Sequence, residues 1–132
     1  MTQKTFPVSM TCANATGIEK GAVLTMTDPN TAASSTAAED VVAGIAYTEK
    51  IANDGMTQIA VLTGPGDELK AIASGAIAIG DVLATAVAVT SPSNYLAKAT
   101  AGLSGGKTIG IAKEAAAAGE TFKYVLQIGA GT

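Results

Sequence analysis

The stretch Ala101-Gly102-Leu103-Ser104-Gly105-Gly106-Lys107-Thr108 ends like a phosphate-binding loop, with paired glycines, a lysine and a hydroxyl in the order that cradles a nucleotide. That motif needs glycine at both ends of its spacer, a buried parallel strand before it, and a helix after it whose N-terminus faces the phosphates. Ala101 stands where the first glycine belongs, and Ile109-Gly110-Ile111 reads as extended chain, so nucleotide binding is not expected. Acidic pairs at Glu39-Asp40 and Asp67-Glu68 offer carboxylates for acid–base work. Adjacent residues of an extended chain point to opposite faces, and both pairs lie beside small, polar or turn-forming residues, which suits solvated turn carboxylates. Asp28-Pro29-Asn30 supplies too few oxygens for a calcium site, which takes about six or more.

Cys12 is the only cysteine, so the chain has neither an intrachain disulfide nor a thiolate cluster for zinc. Its neighbours Met10 and Ala13 mark it as a small buried hydrophobe rather than a reactive thiol. Serines and threonines abound, but there is no histidine to activate one, and no sequence feature marks a lysine–serine pair. All eight basic residues are lysines, so the bidentate arginine clamp for phosphate is missing as well. Asn14-Ala15-Thr16 has the form of a glycosylation sequon, but nothing in the N-terminal sequence reads as a secretory signal. These residue types predict no named reaction, no cofactor and no metal.

Composition extends the exclusions. A net charge of −3 and scattered single lysines argue against a nucleic-acid surface, where phosphate neutralisation needs clustered cations. No stretch approaches the ~18 uninterrupted apolar residues of a membrane helix, and the chain reads as made and left in a cytoplasm. The 132 residues fit one domain. With 48% hydrophobic residues but only 4% aromatic, its core is built from small side chains. At ~25 cal/mol per Å² of apolar surface such a core is thin, and subunit association would strengthen it.

The elements that carry these residues occur twice. Ile18 and Gly21-Ala22-Val23-Leu24 return as Ile77 and Gly80-Asp81-Val82-Leu83. Gly44-Ile45-Ala46, Gly55 and Gln58-Ile59-Ala60-Val61-Leu62 return as Gly110-Ile111-Ala112, Gly119 and Phe122-Lys123-Tyr124-Val125-Leu126. Ordered recurrence over two blocks predicts a duplicated architecture of short strands joined by glycine turns. The expected fold is all-β, a compact barrel-like or tulip-like domain with two repeated half-motifs over 8–63 and 69–128, at most a short helix, and a flexible N-terminal arm over 1–7. Within the first half, Thr27 to Asp40 reads as a long polar loop with a short helical turn inside Ala37 to Val42. Gly64-Pro65-Gly66-Asp67-Glu68 reads as the crossover between halves, and Gly102 to Gly106 as a flexible tip. The four alanines 115–118 favour a helix by propensity, but the run is too short to sustain one and aligns with the Asn53–Gly55 turn, so a hairpin connection is expected.

Gly80-Asp81-Val82-Leu83, Val42-Ala43-Gly44-Ile45-Ala46 and the run from Gly110-Ile111-Ala112 to Val125, in an Ala- and Gly-rich chain without Arg or His, resemble the small capsid decoration or cement proteins of tailed bacteriophages. The resemblance rests on pattern and composition over most of the chain; the Thr27–Asp40 loop and the Gly102–Gly106 tip stand outside it. It implies a homotrimer on the capsid exterior that clamps neighbouring major capsid subunits against the pressure of packaged DNA. On that reading the partners are further copies of the chain and the major capsid protein, with no nucleic acid, membrane or small-molecule substrate. Contacts would be spread over loop tips and the arm at Lys4, Thr5 and Phe6. Two readings of other classes compete: a β-rich fibre or carbohydrate-binding module, weakened by the absence of Trp and only three Tyr, and a hydrolase whose acidic pairs would have to converge in a cleft.

Overall fold

A computed structural model describes residues 7–28, 30–35, 37–63, 66, 68–87, 94–100, 103 and 105–129. The fold is all-β and each repeat closes as its own five-stranded barrel. The first barrel contains β1 (Val8–Thr11), β2 (Val23–Asp28), β3 (Thr31–Ser34), β4 (Val42–Ala46) and β5 (Gln58–Leu62). The second contains β6 (Glu68–Ala73), β7 (Val82–Thr85), β8 (Tyr95–Lys98), β9 (Gly110–Ala112) and β10 (Thr121–Leu126). Strand order is β1-β3-β2-β4-β5 in one and, position for position, β6-β8-β7-β9-β10 in the other. In each, the one parallel contact joins first strand to third, and first and last strands pair antiparallel to close the wall. A matching isolated bridge, Ile18 to Lys50 and Ile77 to Ala116, ties the same pair of turns in both.

Alternation explains why these segments are strands. Along β10 the exposed Thr121 and Lys123 alternate with buried Phe122 and Tyr124, and along β5 the exposed Gln58 precedes buried Ile59 and Val61. The buried set fills the barrels. Met10, Cys12, Leu24, Ile59 and Val61 lie in the interior cluster of the first barrel. Ala71, Leu83, Leu96, Phe122, Tyr124 and Leu126 belong to the cluster of the second. Both phenylalanine and tyrosine of that second interior sit on one strand, their ring centroids 6.2 Å apart.

The structure corrects the sequence reading in three places. Thr27 to Asp40 is not one loop: Thr31–Ser34 forms β3, hydrogen-bonded on one side to β2 and on the other to β1. No helical turn forms between Ala37 and Val42; the chain turns there with Glu39 in the left-handed region at φ 56°. The last strands align one residue differently from the sequence match. Met10 opposes Ile59 and Ala71 opposes Phe122, so the equivalents are Ile59 with Phe122 and Val61 with Tyr124. The alternative register would exchange interior and exterior side chains, since strand periodicity is two. Ala115–Ala118 makes a bridge and turn, as expected. The tip carries one turn of 3-10 helix at Gly105–Lys107; Gly102 and Ser104 lie outside the described residues.

The barrels are joined along one side. Glu39 N donates to Thr85 O at 3.0 Å. Asp40 N donates to Thr85 Oγ1 at 2.8 Å, and that hydroxyl donates to Ala37 O at 3.0 Å. Val23, Val42, Ile45 and Leu62, on the outer face of the first barrel, pack into the apolar cluster of the second.

Candidate functional surfaces

The strand frame separates the groups that the sequence offered as chemistry. Lys107 ends the 3-10 turn and leads through buried Thr108 and Ile109 into β9, so no helix N-terminus follows the glycines. Asp40 is held structurally: its Oδ2 accepts from Ser35 Oγ at 2.8 Å, within the junction between barrels. Glu68 lies exposed on β6 with Lys123 Nζ at 3.9 Å, while Asp67 lies outside the described residues. Asp40 therefore sits in the turn between β3 and β4 and Glu68 on a strand of the other barrel. Asp28 Oδ1 accepts from Asn30 N at 3.3 Å, a turn contact rather than the start of a cation cage. Among the described residues no three His, Cys, Asp or Glu side chains come together as a metal site. Cys12 is buried, and that burial pushes its thiol pKa up, which keeps it protonated and unreactive. The arm residues Lys4, Thr5 and Phe6 lie outside the described residues.

A polar arrangement that the sequence did not reveal lies at one end of the first barrel. Lys50 is buried, and its ammonium donates to Asn14 O at 2.8 Å, Ile51 O at 3.0 Å and Asp54 Oδ1 at 3.1 Å. All three of its protons are thereby used. The backbone N–H of Met56, at 2.9 Å from Asp54 Oδ1, and then the Lys50 ammonium hold the Asp54 carboxyl below the ordinary carboxylate range. A cleft of about 450 Å³ opens beside this group, lined by Gly17, Ile18, Glu19, Glu49, Lys50 and Ile51. Its one cation is committed to the protein, so the cleft offers no free positive group to a ligand. The arrangement braces two turns: Asn14 Oδ1 also accepts from Gly55 N at 2.7 Å.

This brace gives the chain a pH dependence. A carboxyl whose folded pKa lies below its unfolded value adds stability above the unfolded value, and that contribution disappears as pH falls through the folded one. Thermal unfolding followed from neutral to acid pH should show this loss in the unmodified protein. Asp54→Asn should flatten that part of the curve, and an unchanged slope would exclude the brace as its source.

Several large apolar side chains are exposed among the described residues. Ile79 is 71% exposed, Ile51 63%, Val87 59% and Val8 44%. They are scattered over turns and strand ends, and Ile51 borders the cleft.

No family model matches the chain, and no curated protein matches it. Among solved structures it is similar to the N base of head fiber gp8.5 of bacteriophage phi29, with a TM-score of 0.58 and 18% sequence identity. The match covers 93% of this chain and 96% of that one, so it takes in both barrels. At that identity the likeness is one of fold: the tandem-barrel architecture also occurs as the base of a bacteriophage head fibre.

Proposed function

We propose that this chain is a structural component of a tailed-phage virion that sits on the capsid exterior as a homotrimer, contacts the major capsid protein and stabilises the lattice without turnover. The observation that carries the reading is the end-to-end fold match to a bacteriophage head-fibre base. It agrees with the resemblance of the sequence to capsid decoration proteins, which rests on strand pattern and composition. That neighbour, the base of a head fibre, also favours a second form of the same reading, in which the tandem barrels are a base that seats a fibre on the head. Both forms place function in surfaces, and both assign the arm at Lys4, Thr5 and Phe6 to the partner. A polar arm with few apolar groups gains order by adding backbone hydrogen bonds to a partner strand.

The test compares particles with and without bound protein during heating or osmotic shock, following DNA release. Cementing follows mass action, so release should move to higher temperature with occupancy and return to the bare-particle curve when the protein is stripped. Deleting residues 1–7 should leave the fold intact and lower occupancy. Identical release curves at full occupancy would overturn cementing, and exterior density extending into a fibre would establish the base instead.

A further inference from the structure

The two barrels carry the same row of outward apolar side chains, and only one row is covered. In the first barrel Val23 pairs with Ile45 and Ile45 with Leu62, forming a row across β2, β4 and β5. In the second, Val82 pairs with Ile111 and Ile111 with Val125, the same row across β7, β9 and β10. Neighbouring Leu24 and Leu83 point inward in both, so the two rows face outward. The first row is buried because the second barrel packs on it: Val23 is 1% exposed and Ile45 2%. Its counterparts Val82, Ile111 and Val125 are all only partly buried.

The covering side repeats as well. Leu69, second residue of β6, packs against the cluster that the two barrels share. Register places Leu69 opposite Tyr124 and Val8 opposite Val61, so Val8 at the start of β1 is its equivalent. Val8 is 44% exposed. One molecule thus carries an unused copy of each half of its own internal contact: a receiving row on the second barrel and a donating end on the first.

We infer that the second-barrel row Val82, Ile111 and Val125 receives the β1 end of the first barrel of another copy of this chain, repeating between molecules the contact made within one. The contact is head-to-tail, so each copy uses both surfaces at once and closure produces a ring. The inference rests on the self-association in the functional reading above and names its interface.

Sedimentation over a concentration series tests it. Ile111→Lys and, independently, Val82→Lys should keep the circular dichroism of the parent and weaken association roughly tenfold or more, as a charge set into the centre of an interface does. Val8→Lys should do the same from the other side. Mixing Ile111→Lys with Val8→Lys should then produce heterodimers, since one intact row meets one intact end; a face that pairs with itself would yield none, and that outcome would overturn the head-to-tail contact. In the unmodified protein, hydrogen exchange above and below the association midpoint should slow in β9 and at the start of β1, an outcome that needs no variant, and unchanged exchange there would overturn the interface. Folded row variants that keep the parent stoichiometry would overturn this surface and leave self-association standing. A parent that stays monomeric at tens of micromolar would overturn both.

Discussion

Gly44→Ala is expected to destabilise the protein by roughly 3 kcal/mol or more, because a methyl group there meets backbone and the backbone itself is strained for any L side chain. Gly44 sits in the middle of β4 at φ 150°, and an added Cβ would run into the Leu62 carbonyl oxygen and Val61 Cγ1 on β5. Its equivalent Gly110 on β9 would drive a Cβ into the Val125 carbonyl oxygen and Tyr124. A carbonyl fixed in the wall cannot rotate away as a flexible side chain can, so β4 or β9 must move off its neighbour and open the barrel. Gly110→Ala should cost roughly 2 to 3 kcal/mol, less than Gly44→Ala because only the clash acts there. Gly80→Ala is the control, with φ 89° but open space around the new methyl. Strain alone then operates, and the expected cost is about 1 kcal/mol. Urea midpoints measure all three, and a Gly44→Ala protein as stable as Gly80→Ala would show that the close approach of β4 to β5 is not made in solution.

These glycines also show what the sequence made legible. Gly21 with Gly80 and Gly55 with Gly119 recur because their turns hold the backbone at positive φ, and Gly44 with Gly110 because close strand approach leaves no room for a Cβ; both demands are visible as spacing. Strands with two kinds of side chain, such as β5 and β10, were legible by alternation. β3 was not, because Thr31-Ala32-Ala33-Ser34 has no large apolar residue and its strand character comes from ladders with β1 and β2. The one-residue error between Ile59 and Phe122 has a similar origin. Matching Val-Leu at 61–62 to Val-Leu at 125–126 satisfies letters, while register is set by which side chains face the interior.

The candidate surfaces were less legible than the fold. Lys50 and Asp54 lie four residues apart on a turn, a spacing too common to mark a buried brace, and its third partner Asn14 comes from another turn. Thr85 reads as one more small strand residue until the Ala37–Asp40 segment is folded against it. What did carry through is the repeat itself, and the repeat identifies the surfaces that the junction leaves unused.

Phe122→Ala should produce the largest loss among the core substitutions, roughly 4 kcal/mol, and should be felt in both barrels. Phe122 is 1% exposed, and the residue opposite it on β6 is Ala71. The buried β6 residues Ala71 and Ala73 have no length to reach into the space, so that side of the cavity stays open and its cost adds to the lost transfer energy. The equivalent first-barrel substitution, Ile59→Ala, removes a smaller side chain from a cluster confined to that barrel and should cost roughly 2 to 3 kcal/mol. The two differ in reach as well as size. Phe122 shares its cluster with Val23, Val42, Ile45 and Leu62, so loosening the second barrel uncovers the outer face of the first. Thermal unfolding of Phe122→Ala should therefore remain a single transition, and amide protons of β4 and β5 should lose protection together with those of β10. Protection retained in β4 and β5 while β10 exchanges freely would mean that the barrels fold independently and that the junction row is a contact without cooperative weight.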